Sequence, residues 1–229
     1  MILKTKTDKG IKRKENQDNY WSALLSVDDI ESGIICLCDG MGGLNNGGLA
    51  SRMVVESVKE YIKTSVDFTG LIDVIRHINK TIYELGKSEN QSMGTTCTIL
   101  FCSSGKYEIL HVGDSRCYKT NSEGIFELVT TDHSALKKYN ITKEDNYDLW
   151  KKFKNSLTRC IGVKPDVTID YLEGNYTEGD KFMLCSDGLW HFLDEKVFRN
   201  ESILDFDLLI QQCIDNGETD NITIGVLEV

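Results

Sequence analysis

Four aspartates in this 229-residue chain stand where an apolar run stops or starts. Gly33-Ile34-Ile35-Cys36-Leu37-Cys38 runs into Asp39-Gly40, and Ile109-Leu110-His111-Val112-Gly113 runs into Asp114. Phe182-Met183-Leu184-Cys185-Ser186 runs into Asp187-Gly188, whereas Asp220 comes just ahead of the apolar run Ile222–Val229. Each run reads as a buried strand, so each delivers a carboxylate to a strand end, with glycine close by to let backbone approach. A single Asp-Gly pair is a turn as readily as a ligand. Several carboxylates crowded together would repel one another and rise in pKa unless a cation lay between them. Oxygen ligands without a His/Cys cluster select Mg²⁺ or Mn²⁺ over zinc. Two such ions about 3.5–4 Å apart suit the hydrolysis of phosphate esters.

The elements that must position these residues are two helices and a set of short strands. Met53, Val54, Val58, Tyr61 and Ile62 recur at three- and four-residue spacing, predicting a helix from Leu49 to about Val66. Leu71, Val74, Ile75, Ile78, Ile82 and Leu85 predict a second from Leu71 to Leu85, and a third is expected near Ser202–Asn216. Strands are expected at Gly33–Cys38, Thr95–Cys102, Tyr107–Val112, Cys117–Thr120, Ile125–Val129, Val167–Leu172, Lys181–Cys185 and Ile222–Val229. Tight turns such as Ser103-Ser104-Gly105 join consecutive runs, which requires antiparallel pairing. Helices and strands in separate groups indicate α+β, with helices packed outside antiparallel sheets.

One proline and no Gly/Ser-rich linker leave the whole of residues 1–229 as a single domain. The net charge of −10 argues against a nucleic-acid or membrane-surface binder, both of which need a positive face. An acidic excess is either a solvated surface or carboxylates gathered around a cation, and composition does not choose. The eight cysteines form no CxxC pair and mostly sit in apolar runs, as reduced, buried thiols do. The start, Met1-Ile2-Leu3-Lys4, is not a signal peptide, so the expected location is the cytoplasm.

Read in order, Arg13-Lys14-Glu15-Asn16-Gln17-Asp18, Cys38-Asp39-Gly40-Met41-Gly42-Gly43, Gly94-Thr95-Thr96, His111-Val112-Gly113-Asp114-Ser115-Arg116, Thr131-Asp132-His133, Leu157-Thr158-Arg159-Cys160-Ile161-Gly162, Ser186-Asp187-Gly188 and Asp220-Asn221 resemble the motif series of the metal-dependent protein phosphatases. This is the protein phosphatase 2C family in its compact bacterial form, and the resemblance spans about residues 4 to 229. It implies a four-layer α-β-β-α sandwich of two antiparallel sheets flanked by helices. It also implies hydrolysis of phosphoserine and phosphothreonine in proteins by metal-activated water, opposing a bacterial Ser/Thr kinase. By the same resemblance, two core Mn²⁺ or Mg²⁺ ions are bridged by Asp39, with the Gly40 carbonyl on one of them. Asp187 and Asp220 complete the second position, Asp18 supports a metal, and Asp114 with Asp187 holds a possible third ion. Arg13 grips the substrate phosphate, a task suited to its two-pronged guanidinium. The implied partners are phosphorylated proteins and a cognate kinase, with the enzyme acting as a monomer.

The chain departs from the family in places. Met41 stands where many eukaryotic members have a histidine that could serve as general acid, and Gly47-Gly48 replaces a frequent Gly-Glu. His111 and His133 are expected to bond backbone, Arg116 to orient Asp114, and Arg159 to clamp a loop; His77 and His191 look incidental. A flap is expected at about residues 134–155, where Lys137, Lys138, Lys143, Lys151, Lys152 and Lys154 outnumber Glu144, Asp145 and Asp148. These lysines belong either to a plain solvated helix pair or to a surface steering acidic phosphoproteins. Two other readings stay open: a hydrolase of small phosphate esters, and a binding module that has lost catalysis. The second would be expected to lack metal ligands, and all five aspartates are present.

Overall fold

A computed structural model describes residues 1–41, 46–121, 123–142, 144–191 and 205–229. Two five-stranded antiparallel sheets stack face to face. The first runs β1 (Ile2–Asp8), β10 (Ile222–Glu228), β9 (Lys181–Cys185), β6 (Arg116–Thr120), β7 (Phe126–Leu128); the second runs β2 (Asp18–Val27), β3 (Ile30–Asp39), β4 (Cys97–Ser103), β5 (Lys106–Val112), β8 (Asp170–Asn175). Ile35, Leu37, Leu100, Ile109, Phe182, Leu184 and Leu227 fill the space between them. The expected α+β sandwich is therefore the fold.

Two long helices, α1 (Gly47–Ile62) and α2 (Phe68–Ser88), cover the outer face of the second sheet. On α2, Phe68, Leu71, Ile75, Ile78 and Ile82 are buried at the three- and four-residue spacing seen in the sequence. Asp67 caps that helix, its carboxylate accepting from the Thr69 and Gly70 amides. The first sheet is covered by α5 (Asp187–Trp190) and α6 (Phe206–Asp215), whose Leu189, Leu209, Ile210 and Cys213 meet Met183, Ile222 and Ile224. Two short helices, α3 (Ala135–Lys138) and α4 (Tyr147–Phe153), fall in the segment where a flap is expected, and α4 buries no residue. Among the described residues, no helix is long and apolar enough to cross a membrane.

Two strands were not anticipated, and both are edges. β1 pairs only with β10 and buries none of its residues fully, so its sequence is polar. β2 did carry a signal, since Trp21, Ala23 and Leu25 alternate toward the helix-side core. The expected strand at Val167–Leu172 begins later, at Asp170, because Val167 and Ile169 pack against the helix-side core before pairing with β5 starts. The expected helix near Ser202–Asn216 is described only from Phe206, with Asp205 as its cap; Ser202 lies outside the described residues.

Antiparallel order brings the ends of β1, β3, β5 and β9 and the starts of β2, β4, β6, β8 and β10 to one end of the sandwich. The five aspartates expected as metal ligands sit at that end.

Candidate metal centre

Asp18 opens β2 and Asp39 closes β3, and the two are register partners across the hairpin. The pleat therefore sets their side chains side by side. Asp114 lies in the turn between β5 and β6, Asp187 follows Ser186 at the end of β9, and Asp220 precedes β10. Asp39 is half-buried as a residue, and desolvation of its carboxylate raises its pKa well above the carboxylate range, reinforced by the charges of Asp18, Asp187, Asp114 and Asp220. Asp187 is raised well above its ordinary value in the same way, by burial and then by Asp114, Asp220, Asp18 and Glu218. Asp18 is pushed up to about 6 by burial, against hydrogen bonds from Thr223 and Ser186 that favour its charge. Asp114 is pushed up to about 7 by burial and by Asp132. The five aspartates predicted from sequence are thus within electrostatic reach of one another.

Hydroxyl and backbone groups fix one oxygen of Asp18 and the backbone of Asp39 in place. Asp18 Oδ2 accepts from Ser186 Oγ at 2.8 Å and Thr223 Oγ1 at 2.6 Å. The Asp39 amide donates to Thr96 Oγ1, and the Asp39 carbonyl accepts from the Thr95 hydroxyl and the Thr96 amide. The Gly40 amide donates to the Gln17 carbonyl, and Met41 and Thr96 make the bonds that close the Gly40–Thr95 bridge. Gly42 and Gly43, which complete that motif in the sequence, lie outside the described residues.

Gly40 is held where no side chain fits. A Cβ there would lie 2.5 Å from the Gly47 carbonyl oxygen and 2.6 Å from that of Gln17, both backbone atoms with no room to swing aside. Gly40→Ala is expected to destabilise the fold by about 1–3 kcal/mol, the usual cost of overpacking. A lower urea midpoint would measure this loss, and an unchanged midpoint would show that the loop has room to give.

Whether a cation fits can be read from polar atoms left without partners. Four buried side-chain atoms among the described residues have none: Asp18 Oδ1, Asp187 Oδ1, His191 Nε2 and Glu218 Oε2. All four belong to this end of the sandwich. A buried carboxylate oxygen without a donor is costly, and a hard divalent cation is the group that satisfies such oxygens. Among the described residues no three acidic, imidazole or thiol groups are already drawn up as a complete ligand set. The donor chemistry and the orphaned oxygens nevertheless fit Mg²⁺ or Mn²⁺.

Arg13, in the loop between β1 and β2, forms an ion pair with Asp220 through Nη2. The guanidinium therefore stands at the rim of the carboxylate cluster. Arg116 does not pair with Asp114 directly. It grips Asp132 with two hydrogen bonds of 3.0 and 2.7 Å and lies 3.5 Å over the Trp190 ring, whose indole N–H donates to the Asp114 carbonyl. Arg159 pairs with Asp170, which also accepts from His133 Nε2 at 2.9 Å. His133 Nδ1 accepts from the Gly113 amide, and His111 bonds the Thr131 carbonyl and the Thr98 hydroxyl, so both rings are committed to the scaffold.

Sequence reasoning gave no role to Ser186, Thr223, Asn221, Glu218 or His191. Ser186 lay within a motif and Thr223 in the last apolar run, but nothing local told that both would bond Asp18. His191, read as incidental, places Nδ1 3.8 Å from Asp187 Oδ2, and burial lowers its pKa to about 4, keeping it neutral. Glu218 caps the next residues, Oε1 accepting from the Thr219 and Asp220 amides. Of the flap lysines, Lys154 is close enough for its charge to act on His191 and Glu218, whereas Lys143 lies outside the described residues.

A family model described as protein phosphatase 2C matches residues 10–221. The chain is 34% identical over 252 residues to a putative protein phosphatase 2C-type of Streptococcus pyogenes serotype M6, covering 99% of this chain and 97% of that one. It is 30% identical over 247 residues to the serine/threonine phosphatase stp of Listeria monocytogenes serotype 4b, covering 100% and 96%. Its fold matches the crystal structure of a bacterial serine phosphatase with a TM-score of 0.87 at 27% identity, over 100% of this chain and 98% of that one.

Proposed function

This chain belongs to the protein phosphatase 2C family, and we propose that the aspartate cluster and Arg13 together form the active site of a metal-dependent serine/threonine protein phosphatase. One observation carries the reading: buried carboxylate oxygens of Asp18 and Asp187 lack partners in a cluster whose rim holds a guanidinium. Carboxylates alone indicate a cation site, and an adjacent arginine adds a grip for phosphate.

Asp39 and the Gly40 carbonyl would hold two core ions between them, with Asp187 and Asp220 on the second and Asp18 in support. Asp114 and Asp187 would take a third. Bound Mn²⁺ or Mg²⁺ supplies neutralising charge, polarises a phosphoryl oxygen and activates water. The protein's own part is to hold and orient. Ser186 and Thr223 lock one oxygen of Asp18 and leave the other free. Arg13 exchanges one anionic partner for another, leaving the Asp220 carboxylate for the substrate phosphate, where it meets charge developing on the phosphoryl oxygens. Met41 has no proton to give, so departure of the serine or threonine oxygen draws its proton from water. The free cysteines suit a reducing cytoplasm. A phosphatase of this kind works against a kinase that phosphorylates the same proteins.

The test sets phosphothreonine and phosphoserine peptides beside p-nitrophenyl phosphate and a nucleoside monophosphate, all in Mn²⁺. The peptides are expected to give the highest kcat/KM. Arg13→Ala should lower kcat/KM on peptide and aryl ester alike by about 10–100-fold, the worth of a charged hydrogen bond. A nucleotide preferred over both peptides would overturn the assignment in favour of a small-ester hydrolase.

A further inference from the structure

The loop that carries Arg13 is fastened at both ends by one buried side chain. Asn221 Nδ2 donates to the Lys9 carbonyl at 2.8 Å and to the Glu15 carbonyl at 3.1 Å, and Asn221 Oδ1 accepts from the Gln17 amide at 2.9 Å. The residue is 4% exposed, so these bonds are shielded from water. Gly10 presses the same loop onto the neighbouring residue: it has φ +71°, and any Cβ there would collide with the Asp220 carbonyl oxygen. On the other side, a Cβ on Gly188 would collide with the Asn221 carbonyl oxygen. The Asp220–Asn221 backbone is thus held between the loop bearing Arg13 and the turn bearing Asp187.

The division of labour within Asn221 is specific. Its backbone amide donates to Asp220 Oδ1 at 2.8 Å, a bond that survives any change of side chain. Its side-chain amide serves only the 9–17 loop. From this geometry we infer that Asn221 is the positioning residue for the phosphate grip: its carboxamide sets where Arg13 stands, while the carboxylates are held without it. The inference rests on the proposed role of Arg13.

A double-mutant cycle tests it, using the full chain with Mn²⁺, a phosphothreonine peptide as substrate and inorganic phosphate as competing product. Asn221→Ala is expected to raise the inhibition constant for phosphate and the KM for peptide, lowering kcat/KM by about 10–100-fold, as loss of an orienting partner does. The same substitution in an Arg13→Ala background should cost less than about twofold more, since the group it positions is gone. The Mn²⁺ titration followed by calorimetry should be unmoved by Asn221→Ala in the Arg13→Ala background. Should Asn221→Ala not fold, Asn221→Ser keeps a polar group in place with a hydroxyl too short to bridge Lys9 and Glu15, and carries the same expectations. An Asn221 effect that persists in full without Arg13, or a Mn²⁺ titration that Asn221→Ala shifts in that background, overturns the positioning role. If Arg13→Ala leaves phosphate inhibition and peptide KM untouched, it is the phosphate-grip reading that fails.

Discussion

Asp39→Asn is expected to lower kcat/KM on a phosphopeptide in Mn²⁺ by more than the ~10–100-fold that removing an outer-shell partner costs. Asp39 faces Asp18 across the β2–β3 hairpin, and the charges of Asp18, Asp187, Asp114 and Asp220 all bear on it. Asp187 is coupled to the other four as well, but Asp39 is also the register partner of Asp18, which sets it beside a second ligand as a bridging position requires. Asparagine keeps the shape and the amide bond to Thr96 but gives up the charge. The same substitution should act in the opposite direction on the chelated protein. Removing one of several repelling buried charges relieves the fold, and each unit of raised pKa so relieved is worth about 1.4 kcal/mol. For a chain of this length that is a rise of roughly 2–4 °C in Tm per kcal/mol. Loss of activity together with a gain in metal-free stability is a signature that a merely misfolded variant does not give. Normal turnover by Asp39→Asn would remove Asp39 from the centre.

The second large effect is that of the cation on stability, and it depends on pH. Asp18 and Asp114 are pushed up to about 6 and about 7 by burial, and Asp39 and Asp187 are raised well above the carboxylate range. Between the ordinary carboxylate pKa and these raised values, the folded chain binds more protons than the unfolded chain. Stability of the chelated protein therefore falls as pH rises from about 4 through 7 and beyond. A divalent cation binds the deprotonated carboxylates and releases those protons, so it restores most where the loss is greatest. At a free concentration a hundredfold above its dissociation constant, Mn²⁺ adds about 2.7 kcal/mol, roughly 5–11 °C in Tm for this size. Thermal scans with Mn²⁺ and with chelator should differ by that much at pH 8 and converge toward pH 5. A difference that is absent, or that widens in acid, would show that the carboxylates are not the cation's ligands.

The sequence was most legible where burial is total. β3, β5 and β9 are near-continuous apolar runs because sheet and helices cover them, and the aspartates were visible as the residues at which those runs break off. The long helices were legible from their spacing. β1 was not, because an edge strand with one bonded neighbour needs no apolar face. Within the site, the residues with charge were readable and those that hold them were not. Ser186 and Thr223 meet Asp18 across 168 and 205 positions of chain, and a hydroxyl has no pattern that announces such a partner. Asn221 was seen as the second half of a motif, but its clamp on the Arg13 loop depends on the β1–β10 pairing that brings the two together. His191 had no signal at all, being a single imidazole one helical turn beyond Asp187.

The antiparallel order that gathers every carboxylate at one end has a practical corollary at the other. There the hairpins turn tightly, with Asp28 and Asp29 both at positive φ between β2 and β3, and Ser104 and Gly105 between β4 and β5. β3 is ten residues long, so these tips stand roughly 33 Å from Asp39 at the usual rise per residue. The molecule has a working end and a handling end. A fluorophore or affinity peptide spliced into the 28–29 or 104–105 tip would report on the enzyme, or immobilise it, with the cleft left open to a substrate as large as a folded protein.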